Sequence, residues 1–180
     1  MVHCGKGAQV DGTKALNIKK VKGITNHFLD TMSKFDDKMG PMLLQLPYYN
    51  KKIFPNVEEF LIRLDMFLSA LPNTCWVAVE VRNKNYLTPE LIKVLKANQT
   101  ALAITEHSNM PLPWDIMNDL DLFPCKEFTY LRLVGNRYEI ESKTDTFNKV
   151  IVDKKKELAK WSKLAKTCIE MTCPQLLLQI

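Results

Sequence analysis

Cys75-Trp76-Val77-Ala78-Val79-Glu80-Val81-Arg82-Asn83 reads as a strand that is apolar for most of its length and ends in charge. Val77, Val79 and Val81 share one parity; Ala78, Glu80 and Arg82 share the other. A strand apolar on both sides belongs to a parallel sheet whose faces are covered. Folding alone does not call for two formal charges of one parity at the carboxyl end. That is the end at which parallel sheets and barrels gather their chemistry. Side chains i and i+2 of a strand project together, about 6.6 Å apart, so Glu80 and Arg82 form one candidate site. A carboxylate acting as acid, base or ligand would stand beside a guanidinium able to clamp an anion. The structural alternative is an interior ion pair that fills polar space, an arrangement that stabilises poorly.

Working outward, Gly40-Pro41 stops a helical pattern over Phe28–Met39, and Ala15–Val21 before it reads as a short strand. Met42–Leu46 is a short buried strand in which Gln45 is the polar side chain, either a ligand contact or an amide satisfied at the sheet rim. Asn56 followed by Glu59 has capping-box spacing, and Phe60, Leu61, Leu64, Phe67, Leu68 and Leu71 then mark one helix face. Thr88-Pro89 opens the next helix, with Leu91, Ile92, Val94 and Leu95 on its apolar side. Ala101–Thr105 is a strong strand ending in Glu106-His107-Ser108, and Phe128–Val134 is another, ending in Gly135-Asn136-Arg137-Tyr138. Arg132 shares parity with Tyr130 and Val134 and is a second cationic wall for the same mouth. A helix over Lys149–Thr167 follows, and the apolar tail Pro174–Ile180 is a strand or a frayed end. Strands alternating with helices argue for an α/β parallel sheet, without choosing between a barrel and a doubly wound sheet.

Composition sets limits. The chain has 180 residues and a net charge of +5, enough for one domain and a mild attraction to anions. Five cysteines form no C-x-x-C pair, and with no leader pattern at the start they suit a reduced, cytoplasmic setting. No apolar run reaches membrane-spanning length. Gly5-Lys6-Gly7 lacks the strand and the Gly-Lys-Ser/Thr ending of a phosphate loop. His3, His27 and His107 have no ligand spacing, so no metal site is assigned, and no serine or cysteine nucleophile motif is present.

Four blocks carry a family resemblance: Gly40–Pro47, Val77–Asn83, Pro111-Leu112-Pro113 and Tyr130–Tyr138. In that order they resemble the YecE-like family, also called domain of unknown function 72, from Ala15 to Ala165. The resemblance implies a TIM-barrel-like parallel sheet with alternating helices and the strand ends as one rim. In it Glu80 and Arg82 match the acidic and basic residues of the central strand. Tyr86 falls where an aromatic is usual, Glu106 where Asp is usual, and Asn136 where a Gly-Arg or similar turn is common. The family's Gly-rich first strand and aromatic-rich last strand find no counterpart. The chain is therefore expected to supply an incomplete barrel, about strands three to seven of eight. Residues 1–14 form an irregular segment, 15–166 the partial barrel and 167–180 a divergent tail.

The family's activity is not established, so function is ranked from the residues. The leading expectation is a rim that binds a small anionic or polyhydroxylated ligand, with hydrolase- or isomerase-type chemistry. Glu80 and Glu106 are the catalytic candidates; Gln45, Arg82, Asn83, Tyr86, Arg132 and Arg137 are the ligand-binding ones. No cofactor is identified from the sequence. The alternatives are a nucleic-acid-binding barrel, with weak and salt-dependent affinity, and a truncated, inactive remnant. Membrane association is not expected; self-association through open sheet edges is.

Overall fold

The computed structural model describes residues 11–146, 148–171 and 175–179. Among them β1 (Met42–Gln45), β2 (Val77–Glu80), β3 (Ala101–Glu106), β4 (Phe128–Leu133) and β5 (Gln175–Gln179) form one sheet. The strands stand in chain order and every neighbouring pair is parallel. The order never reverses, as it would in a doubly wound sheet. Right-handed crossovers that always step in the same direction lay their helices on the same side. The sheet is open, with β1 and β5 at its edges. The tail is thus a strand over Gln175–Gln179, while Pro174 and Ile180 lie outside the described residues.

Parity divides the sheet as expected. Val77, Val79 and Val81 join Leu102, Ile104 and Leu131 in a core covered by three helices. These are α2 (Val57–Leu68), α3 (Pro89–Ala97) and α6 (Lys155–Met171), contributing among others Phe60 and Leu64, Leu91 and Leu95, and Trp161 and Leu164. The other face carries a smaller cluster of Leu43, Ala78, Ala101, Ala103, Cys125 and Phe128, with no helix residue among its buried members. There Trp76 stacks on Phe128, ring centroids 5.4 Å apart and planes within 8°. The two rings flank β3, whose alanines leave them room.

Local chemistry sets the helix starts. The Asn56 side chain accepts from Glu59 N at 2.9 Å, and the Thr88 hydroxyl accepts from Leu91 N at 3.3 Å with Pro89 just inside. One expectation fails here. Ala15–Val21 is not a strand: α1 runs Ile18–Met32, and the Asn17 side chain caps it, accepting from Lys20 N at 3.3 Å. Lys19 and Lys20 would put charge on both faces of a strand, whereas Ile18, Val21, Phe28, Leu29 and Met32 keep helical spacing. α1 ends earlier than expected, at Met32, and tight helical turns broken by a kink at Asp36 (φ 49°) run to Lys38. α6 starts at Lys155, later than the apolar pattern from Lys149 suggested. Two short helices, α4 (Pro113–Ile116) and α5 (Arg137–Glu141), and a helical turn at Lys84–Tyr86 were not expected. His3, Cys4, Gly5-Lys6-Gly7 and Cys173 lie outside the described residues. Among the described residues no helix is long and apolar enough to cross a membrane.

Candidate functional site

The carboxyl ends of the strands gather charge on the face away from the helices. Glu80 ends β2 and is fully buried. Its Oε2 accepts from Arg132 Nη1 of β4 at 2.6 Å, and its Oε1 forms a close ion pair with Arg82 Nη2. Arg132 Nη1 also donates to Gln45 Oε1 of β1 at 3.0 Å. One guanidinium thus joins β4 to β2 and β1, passing over β3, whose side chains on this face are Ala101, Ala103 and Thr105. Strands lie about 4.8 Å apart, so β1 and β4 stand about 14 Å apart across a flat sheet. Side chains that rise from the sheet meet over that span when the face is concave.

The cluster is polar and largely buried. Arg82 and Arg132 side chains each keep 13% of their surface exposed. Arg82 Nη1, Glu80 Oε1 and Thr105 Oγ1 are buried without a hydrogen-bond partner; Oε1 lies against Arg82 Nη2 but out of line for a bond. Burial works against the charge on Arg82 and lowers its pKa; Glu80 opposes this and Arg132 adds to it. Burial likewise raises the Tyr130 phenol on the same face, with Arg132 acting in the opposite sense.

Above the cluster lies an open groove whose walls include Tyr48, Arg82, Lys84, His107, Asn109 and Met110. His107 Nδ1 accepts from Asn109 N at 3.2 Å. Burial, then the positive charge of Arg82, lowers its pKa; Arg132 adds to the effect and Glu80 offsets part of it.

Of the candidates, Gln45, Glu80, Arg82 and Arg132 come together. Glu106 does not join them. It shares parity with Leu102 and Ile104, toward the helices, and pairs with Lys154 Nζ at 3.5 Å. Asn83 is buried and bonds both ways to the Tyr49 backbone: Oδ1 accepts from N at 2.9 Å and Nδ2 donates to O at 2.8 Å. It holds the loop after β1, and with it neighbouring Tyr48, at the groove wall. Tyr86 is core, stacked on Phe60 with ring centroids 4.1 Å apart. Arg137 opens α5, the short helix after β4, where Gly135 takes a positive φ of 67° that suits glycine. Thr105, Lys84 and Tyr48 were not among the candidates. Thr105 could have been found from its parity with Ala101 and Ala103; Lys84 and Tyr48 sit on loops that carry no such signal. Among the described residues no group of three or more His, Cys, Asp or Glu side chains is placed to hold a metal ion.

Fold and site together define an α/β protein whose open parallel sheet carries a buried carboxylate–guanidinium centre at its strand ends. The family described as protein of unknown function DUF72 matches residues 8–176, and the chain belongs to it. No curated protein and no solved structure matches the chain.

Proposed function

We propose that this protein binds a small anionic molecule in the groove at the strand ends, on a sheet that forms part of a TIM-barrel-like wall. The chain order of the strands, helices on one face and the Arg132–Gln45 bond that spans β4 to β1 on the other support the barrel reading. The observation that carries the binding reading is the charge count at Glu80. Two largely but not fully buried guanidiniums, each 13% exposed, meet one buried carboxylate, leaving a formal excess of +1 (2 − 1). A buried charge without a counter-charge is costly, and an anion from the groove would supply one. Glu80 has a guanidinium against each oxygen, so its role is to position Arg82 and Arg132 rather than to exchange protons. Hydrolase- or isomerase-type proton transfer would draw on His107 at the groove wall instead. Each guanidinium keeps 13% of its side chain exposed, which favours a small ligand over the phosphates of a duplex.

Thermal unfolding in acetate, lactate, phosphate or sulfate, at constant ionic strength, tests this. At least one anion should raise the Tm of the wild type. Arg82→Ala should weaken that response about tenfold or more, the worth of a charge-assisted hydrogen bond. A wild type indifferent to all four, or an Arg82→Ala variant that responds equally, would refute the reading. Tight oligonucleotide binding that persists at physiological salt would favour the nucleic-acid alternative.

A further inference from the structure

We propose that the anion is a carboxylate carrying a single negative charge, and that the Thr105 hydroxyl is one of the groups that hold it. The inference rests on the anion-binding reading above and adds a ligand class and a contact residue.

Four buried side-chain atoms among the described residues lack a hydrogen-bond partner: Glu80 Oε1, Arg82 Nη1, Thr105 Oγ1 and Trp161 Nε1. Trp161 belongs to the helix-side core. By parity and register the other three belong to the carboxyl ends of β2 and β3 on the face away from the helices. Thr105 is 8% exposed, and it stands in register with Arg132 on β4. On its other side Ala78 pairs with Ala101; four residues further along each chain come Arg82 and Thr105. The unpartnered hydroxyl therefore sits on the strand between the two arginine-bearing chains.

A guanidinium only donates, and a hydroxyl donates or accepts. A group that satisfies Arg82 Nη1 and Thr105 Oγ1 together must accept, and a ligand oxygen does so. A carboxylate accepts at both oxygens and matches the planar guanidinium edge. Charge selects among anions. The centre carries a formal +1, which one negative charge cancels and a phosphate dianion would overturn to −1 (1 − 2). Leaving a net charge in so buried a site is unfavourable in either sign. Burial and the charge of Arg82 lower the His107 pKa, which works against a compensating proton there. Lys84, on the open groove wall, is free to meet a distal part of the same molecule.

Thermal-shift titrations of wild type, Thr105→Val and Thr105→Ser with acetate, lactate, phosphate and sulfate decide the matter. Thr105→Val removes a buried hydroxyl that has no partner, so the unliganded Tm should hold or rise. Its affinity for acetate or lactate should fall about tenfold or more, while Thr105→Ser, which keeps the hydroxyl, should retain it. Wild type should prefer acetate or lactate to phosphate and sulfate. A Thr105→Val variant with lowered Tm and unchanged carboxylate affinity would make Thr105 structural and overturn its assignment. Tighter binding of phosphate or sulfate would overturn the carboxylate class while leaving an anion site standing. No response of the wild type to any anion would remove the anion reading itself, and this inference with it.

Discussion

His107 Nδ1 already accepts the Asn109 N–H, so the proton of the neutral ring sits on Nε2, facing a groove it shares with Arg82. Burial, Arg82 and Arg132 lower its pKa from the ordinary 6.5, against the pull of Glu80. Just below 6.5 the unfolded chain takes up a proton that the folded chain declines. The neutral ring therefore contributes stability fully above that value, and the contribution is lost as pH falls through the window. Melting curves between about pH 8 and about pH 5 should show wild type losing more stability than His107→Gln. Equal losses would mean that His107 titrates normally. Residue by residue, parity served well where side chains alternate. A strand's period of two puts Glu80 and Arg82 on one side of their strand, and puts Arg132 on the side of β4 opposite Leu131 and Leu133; the strand order then brings the three together. Glu106 was placed by nearness to a strand end instead, and its own parity with Ile104 and Leu102 turns it toward Lys154. Asn83 and Tyr86 follow the strand, where no period governs, so a clamp and a core ring looked like rim groups.

β3 works through what it omits. Ala101 and Ala103 present almost nothing to the face over which Arg132 reaches Glu80 and over which Trp76 meets Phe128. Ala103→Leu should therefore cost about 1–3 kcal/mol through overpacking and should also push Arg132 off its partners. Denaturant unfolding would read the first effect, and loss of the anion-induced Tm shift the second. An Ala103→Leu protein that keeps the full shift would show that Arg132 does not need the alanine gap. Two alanines in a strong strand look like ordinary filling until the partners on either side are known, so this function was not legible. α1 was legible and was misread. Ile18, Val21, Phe28 and Met32 recur at helical spacing behind a capping Asn17, and the short window Ala15–Val21 hid the period.

The molecule is unevenly held together. β2 and β3 are buried between the two clusters, whereas α1 has no buried residue and leaves Ile24 75% exposed. Amide hydrogen exchange should find α1 the quickest of the long helices and β2 and β3 the slowest elements, since local opening follows the burial it disrupts. Protection of α1 equal to that of α3 would show that something covers it. Parallel pairing was implied by the alternation of strands and helices, whereas the sequential order of the strands came only with the family resemblance. The edge at β1, open among the described residues, follows from no local pattern and was expected only from the family strands that find no counterpart in the chain.

The reach of Arg132 has a mechanical consequence. β1 is only four residues long and, among the described residues, has a neighbour on one side alone. Peeling it away breaks the Gln45 contact and loosens the guanidinium that Glu80 leans on. Fraying of the margin and integrity of the charge centre are thereby one event. A molecule seated against Arg132 acts as a rivet at a distance, keeping the most vulnerable strand from unzipping.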